Sequence, residues 1–112
     1  MMKDGTTFCF RGGEEELEAA RQNKEHIKCI KIDTECIPAG AFEQFTSLET
    51  LVPNNNLRKI GRSAFHNCTK LTDLGNLSSV EAVESHAFAN CSSVEGCISL
   101  PNATQIERYA FV

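Results

Sequence analysis

Several features that mark common protein classes are missing from this chain of 112 residues. No apolar run approaches the 18 or so residues that a membrane-spanning helix needs. The lysines and arginines are scattered and the net charge is −4, which argues against nucleic acid or an anionic membrane surface as a partner. The N-terminus lacks a basic and then apolar signal segment. We therefore expect an intracellular protein by default, with a cell-surface place open if the chain is part of a longer protein.

The sequence also lacks the motifs that assemble metal or catalytic chemistry. No C-x-x-C pair exists to anchor a zinc ion, and His66 and His86 occupy different columns, because His66 follows one Ala-Phe pair whereas His86 precedes the next. No G-x-S-x-G turn frames a serine nucleophile. Acidic residues such as Glu81 and Glu107 are dispersed rather than paired. We expect no enzyme, no metal and no cofactor.

What the chain does have is an internal repeat. An Ala-Phe pair begins at Ala41, Ala64, Ala87 and Ala110, a constant interval of 23 residues. An interval in the twenties is typical of a solenoid, in which each repeat buries its apolar residues against its neighbours.

Alignment on these pairs gives columns of apolar residues at equal positions in successive repeats. The columns are Ile37, Ile60, Val83 and Ile106; Phe45, Cys68 and Cys91; Leu48, Leu71 and Val94; Leu51, Leu74 and Cys97; and Leu57, Val80 and Ala103. Neither a helical period nor strict alternation fits this spacing, so we predict a coil with one short strand and tight bends per repeat. Neighbouring turns would lie about 4.8 Å apart, close enough for the Phe rings to stack.

These residues resemble the leucine-rich repeat subtype of Treponema and BspA-like proteins, whose pattern is C-x-x-L-x-x-I-x-L-P-x-x-L-x-x-I-G-x-x-A-F-x-x-C. The resemblance covers about residues 27–112, and Ile60 and Gly61 reproduce its I-G element, whereas Glu84 and Glu107 replace the glycine in later repeats. It implies an α/β solenoid: a right-handed coil of about four turns with a concave parallel sheet and a role in binding macromolecules, without catalytic residues.

The two ends of the chain depart from the repeat. Residues 1–26 are predicted to form an N-terminal cap with a helix over about 14–24, and Ile27–Asp33 is predicted to be the first strand of the sheet. The segment 6–10 is either an extra edge strand or disordered. Val112 directly follows the fourth Ala-Phe pair, so the last repeat of this single domain, 1–112, is incomplete. We expect one of three situations: the chain is part of a longer protein, a second copy covers the apolar end of the last repeat in a homo-oligomer, or this end is frayed.

The six cysteines do not suggest a disulfide framework. Cys68, Cys91 and Cys97 stand on core columns and are predicted to be buried thiols, whereas Cys29 and Cys36 are the better candidates for reactivity. A bond between Cys68 and Cys91 is conceivable but unusual for a ladder. Four Asn residues, at 67, 76, 90 and 102, lie in glycosylation sequons. We predict that their side chains make turn hydrogen bonds rather than carry glycans.

The remaining candidate is the outward side of the predicted sheet, as a surface for a protein partner of unknown identity. Its residues are predicted to be Lys28, Lys31, Glu49, Thr50, Val52, Thr72, Asp73, Glu95 and Ile98. The lysines give a positive end and the acids a negative track, and Val52 and Ile98 are apolar residues predicted to face water. We predict a non-catalytic protein-binding module; the alternative is a self-associating structural unit or a fragment of a longer surface protein.

Overall fold

The structure is a computed structural model that describes residues 7–94, 103–106 and 110. Its elements, in chain order, are β1 (Thr7–Phe10), α1 (Glu14–Gln22), β2 (Cys29–Ile32), β3 (Cys36–Ile37), β4 (Thr50–Val52), β5 (Lys59–Ile60), β6 (Ala82–Val83) and β7 (Gln105–Ile106). Predictions that concern Glu95, Cys97, Ile98, Asn102, Glu107 and Phe111 lie outside the described residues.

The strands form two parallel sheets. Sheet A has the order β1-β2-β4, and sheet B has the order β3-β5-β6-β7. The prediction of one strand per repeat was therefore wrong, because the column of Ile37, Ile60 and Val83 also pairs in register as strands of sheet B. Branched side chains at these positions favour extended backbone. The chain passes from sheet A to sheet B twice in this way, from β2 to β3 and from β4 to β5.

The first strand of sheet A is β1 and not the segment at Ile27–Asp33. β1 pairs with β2 in parallel, with Phe8 opposite Ile30 and Phe10 opposite Ile32. Phe10 is fully buried and packs edge-on against Phe42 at 5.2 Å between ring centroids. The alternation of Phe8 and Phe10 toward the core favours a strand over disorder at this end.

A column of stacked phenylalanines runs through the interior, as predicted. The ring centroids of Phe42 and Phe65 are 5.6 Å apart with planes at 21°, and those of Phe65 and Phe88 are 5.4 Å apart at 8°. These rings are at most 2% exposed. Stacked rings at this distance attract each other beyond the area that they bury, so the column joins successive repeats into one core.

A third ladder of backbone hydrogen bonds joins the bends that carry the Ala-Phe pairs. Phe42 N donates to Ala64 O at 2.7 Å, and Phe65 N donates to Ala87 O at 2.8 Å. The bends need left-handed backbone at Gln44, Asn67 and Asn90, with φ of 63°, 65° and 61°. Asparagine tolerates this conformation better than most residues, which explains why it recurs there.

Helix α1 covers the N-terminal end of the core, as predicted for a cap. Leu17 and Ala20 are its buried residues. Glu16 stabilises the start of the helix, because its Oε1 accepts hydrogen bonds from Gly13 N at 3.1 Å and Arg11 N at 2.9 Å. The helix ends at Gln22, two residues before the predicted end.

Candidate binding surface on sheet A

The outward surface of sheet A, here called the sheet A face, contains the described members of the predicted site. Its residues stand in three columns because the strands pair in register. The first column is Lys28, Glu49 and Thr72; the second is Thr7, Cys29, Thr50 and Asp73; the third is Cys9, Lys31 and Val52. The two remaining predicted residues, Glu95 and Ile98, lie outside the described part of the chain.

Backbone hydrogen bonds hold the first column at a fixed spacing. Lys28 O accepts from Glu49 N at 2.8 Å and Thr50 N at 3.1 Å. One repeat later, Glu49 O accepts from Thr72 N at 2.9 Å and Asp73 N at 3.2 Å. The same pattern therefore places a lysine, a glutamate and a threonine beside one another at the entry to the sheet.

The charges of the sheet A face differ from those beside sheet B. Arg58 pairs with Glu35 at 3.5 Å and Glu81 at 3.4 Å, and Lys59 pairs with Glu84 at 3.4 Å. Among the described residues, no ion pair involves Lys28, Lys31 or Glu49. The charges next to sheet B thus neutralise one another, whereas those of the sheet A face point to solvent unpaired.

Two of the predicted site residues have local structural roles. Thr72 Oγ1 donates to Glu49 O at 3.2 Å, and Asp73 Oδ1 accepts from Gly75 N at 2.9 Å. The carboxylate of Asp73 therefore closes a turn, which sequence reasoning missed because Asx turns depend on loop conformation. Glu49 is then the acidic residue of this face whose side chain is most available to a partner.

The sheet A face is bordered by a tight contact between two loops. Gly75 has a φ of +67°, and a Cβ at this position would lie 2.5 Å from Pro53 Cδ and 2.8 Å from Leu51 O. Strand pairing is correspondingly reduced to a single bridge between Thr50 and Asp73. Val52, which precedes this border, is 43% exposed and is a large apolar side chain on an otherwise polar surface.

The described cysteines lie on the sheet A face, on sheet B and in the core columns. Cys9 and Cys29 stand on adjacent strands of the face, and Cys36 is exposed on β3. Cys9 was missed in the sequence because no repeat aligns with segment 6–10; the Phe8 and Phe10 alternation was the signal that could have placed it. Cys68 is buried as predicted, whereas Cys91 is only half-buried.

The two core thiols each hydrogen bond to the backbone of the preceding repeat. Cys68 Sγ donates to Phe42 O at 3.3 Å, and Cys91 Sγ donates to Phe65 O at 3.0 Å. The neighbouring Cys91 thiol, together with burial, raises the pKa of Cys68 far above its usual range. The neighbouring Cys68 thiol lowers the pKa of Cys91, and burial of Cys91 opposes this shift.

Histidines and acids do not converge in the described part of the chain. The ring centroids of His66 and His86 are 6.5 Å apart, although the two residues occupy different columns. Ala89 is the residue one repeat after His66, and His86 lies in the same bend as Ala89. The two rings therefore come close to each other. Within residues 7–94, 103–106 and 110, no group of three or more His, Cys, Asp or Glu side chains could hold a metal ion.

An open hollow of about 470 Å³ lies along the start of the sheet B strands. Its lining includes Asn55, Arg58, Ser79, Glu81 and Thr104. Arg58 and Glu81 form an ion pair with each other there, at 3.4 Å. Their charges are already matched, so this hollow is a weaker candidate than the sheet A face.

Of the sequon asparagines that the structure describes, Asn76 makes the expected turn hydrogen bond, whereas Asn67 and Asn90 bond to each other between repeats. Asn90 Nδ2 donates to Asn67 Oδ1 at 2.9 Å, one repeat apart, and Asn76 Oδ1 accepts from Ser78 N at 2.9 Å. These side chains therefore stabilise the bends and loops. No helix in the described residues has the length and apolar character to cross a bilayer.

Parallel strands from successive 23-residue repeats, with apolar columns inside, define a leucine-rich repeat solenoid. Comparison with known families identifies which one: the BspA type leucine rich repeat region matches residues 20–112, in six copies. The chain belongs to this family. Leucine-rich repeat scaffolds are generally non-enzymatic and are typically used for protein binding.

A solved structure supports the same fold. The crystal structure of a leucine-rich repeat protein from Eubacterium ventriosum ATCC 27560 superposes with a TM-score of 0.70 at 19% sequence identity. The match covers 78% of this chain but 24% of that protein, so this chain spans about a quarter of its neighbour's length. At this identity the likeness concerns the fold alone. A comparison with curated proteins gives no match.

Proposed function

We propose that the chain is a non-catalytic protein-binding module that contacts its partner through the sheet A face. The observation that carries the proposal is the contrast in charge pairing between the two sheets. Lys28, Lys31 and Glu49 are exposed without an ion pair among the described residues, while Arg58 and Lys59 are paired beside sheet B. Unpaired charges around an exposed Val52 suit a partner that supplies the complementary charges and an apolar contact.

The order of charges along the face defines the chemistry of the partner. Lys31 lies on β2 and Lys28 directly precedes it, and Glu49 lies one repeat further along the solenoid. A matching protein segment carries acidic side chains at one end and a basic side chain at the other, with an apolar residue over Val52. Charges at the rim of such an interface mainly raise the association rate.

Site-specific photo-crosslinking tests the position of the interface. A photoreactive amino acid replaces Val52, and a matched variant carries it at Lys59, which is exposed on strand β5 of sheet B. We expect a discrete crosslinked protein from the Val52 variant and none, or a different and weaker set, from the Lys59 variant. Equal labelling of the same proteins from both positions would contradict the proposal.

Binding measurements with the captured protein test the charges. Lys31→Glu should slow association and weaken binding by roughly 1 kcal/mol or more at low salt, because it places a like charge opposite the partner's acids. Lys59→Glu serves as the control for net charge. An unchanged association rate for Lys31→Glu, or an equal effect of both variants, would exclude the sheet A face.

A second function, self-association, is favoured by one residue of the last strand. Ile106 is 52% exposed, although its column neighbours Ile37, Ile60 and Val83 are at most 1% exposed. A second copy that covers Ile106 would bury this apolar surface. Light scattering over a concentration series should then show a dimer that Ile106→Glu disrupts; a monomer at every concentration rules this function out.

A further inference from the structure

Cys68 and Cys91 hold equal positions in successive repeats, where the preceding repeat has Phe45. Each thiol donates to the carbonyl of a phenylalanine in the repeat before it, Cys68 to Phe42 and Cys91 to Phe65. Because the two contacts are related by the repeat itself, the side chains extend in the same direction from neighbouring turns. Their sulfur atoms are therefore held next to each other.

The environments of the two thiols differ in a way that separates their chemistry. Cys68 is fully buried, whereas Cys91 is half-buried and reachable from solvent. The neighbouring thiol, more than any other group, raises the pKa of Cys68 and lowers that of Cys91. A reachable thiol with enhanced thiolate character beside a second thiol is the usual arrangement of a redox-sensitive cysteine and its resolving partner.

We propose that Cys91 and Cys68 form a peroxide-sensitive modification site, in which Cys91 is oxidised first and Cys68 resolves it to a disulfide. The Cys91 thiolate attacks one oxygen of hydrogen peroxide, the O–O bond breaks, and Cys91 sulfenic acid and hydroxide form. The Cys68 sulfur then attacks the sulfenic sulfur; the S–S bond forms and the S–O bond breaks. The Cys68 proton leaves with the hydroxyl group as water.

The geometry allows the bond and makes it easy to reduce. The bends that carry the two cysteines are hydrogen bonded to each other, since Asn67 N donates to Ala89 O at 2.9 Å. Parallel chains paired in this way lie about 4.8 Å apart, within the Cα separation that disulfides span. The usual Cβ separation in a disulfide is shorter, at roughly 3.8 Å, so the two turns must approach each other locally. The resulting strain favours reduction by small thiols, which makes the modification reversible.

Peroxide treatment of the 112-residue chain tests the site directly. Two of the six thiols should be lost together, and peptide mapping should show a Cys68–Cys91 link that dithiothreitol reverses. Cys36, which is exposed but has no cysteine at the equal position of the next repeat, is the internal control and should react more slowly than Cys91. Oxidation of Cys36 ahead of Cys91, or a link that joins other cysteines, would overturn the proposal.

Two variants assign the roles within the pair. Cys68→Ala should stop at the sulfenic acid, which dimedone traps on Cys91. Cys91→Ala should leave Cys68 unmodified, because its thiol is buried and strongly protonated. Circular dichroism checks that both variants are folded. If either variant is unfolded, the peptide mapping of the oxidised wild-type protein alone decides whether the Cys68–Cys91 link forms. Dimedone labelling of Cys68 in Cys91→Ala, or none of Cys91 in Cys68→Ala, would contradict the assignment.

Discussion

The close approach of neighbouring turns determines which amino acid a position of the repeat can hold. At Gly61, a Cβ would lie 2.6 Å from Ile37 O and 2.7 Å from Ala39 N. Both are backbone atoms, which cannot move aside as a flexible side chain could. This explains why the I-G element keeps its glycine in the repeat that follows Pro38.

Gly61→Ala is therefore predicted to destabilise the protein by about 1–3 kcal/mol, because the added methyl group forces two turns apart. Urea unfolding followed by circular dichroism measures this change in the free energy of unfolding. Gly13→Ala is the matched control, since its Cβ would meet only the side chain of Glu16 at 3.5 Å, and it should cost less than about 1 kcal/mol. Equal costs for both variants would contradict the close approach.

At this scale the sequence predicted side-chain direction well where a column repeats and poorly where it does not. The inward positions of Ile60, Leu71 and Phe65 follow from their spacing alone. The turn that Asp73 closes and the approach of His66 to His86 do not, because both depend on the path of a bend rather than on the repeat interval.

At the scale of elements, the N-terminal turn also contains one part that the sequence predicted and one part that it did not. Helix α1 was predictable from its acidic first turn and its apolar pair, Leu17 and Ala20. Strand β1 was left open between a strand and disorder, because four residues without an aligned repeat carry little periodic signal. Sheet B was missed because two-residue strands leave no alternation to detect.

Removal of the cap contact is expected to loosen this end of the solenoid. Leu17→Ala should cost about 2–5 kcal/mol, as for other buried leucines, and should speed amide exchange in β1 and β2 before that in β6. Glu18→Ala, on the exposed side of the same helix, should change stability by less than about 0.5 kcal/mol. Uniform acceleration of exchange along the whole chain would argue against a local cap.

The whole molecule is a stack in which each repeat is stabilised by its neighbours. Phe65 contacts the rings of both Phe42 and Phe88. It is therefore the residue whose loss should affect the stack on both sides.

Phe65→Ala is predicted to cost about 3–5 kcal/mol. Phe8→Ala, at a partly buried ring near the N-terminal end, should cost clearly less, and chemical unfolding compares the two. A larger cost at Phe8 would mean that the column is not the main interior contact.

The central claim is that residues at equal positions of successive repeats stack into one hydrophobic core. Both sheets pack against this core with one face and expose the other face to solvent. Nuclear Overhauser measurements on protein with labelled phenylalanine rings test this most directly. We predict contacts from the ring of Phe65 to the rings of both Phe42 and Phe88. A Phe65 ring that contacts neither would contradict the solenoid and the surface proposed to bind a partner.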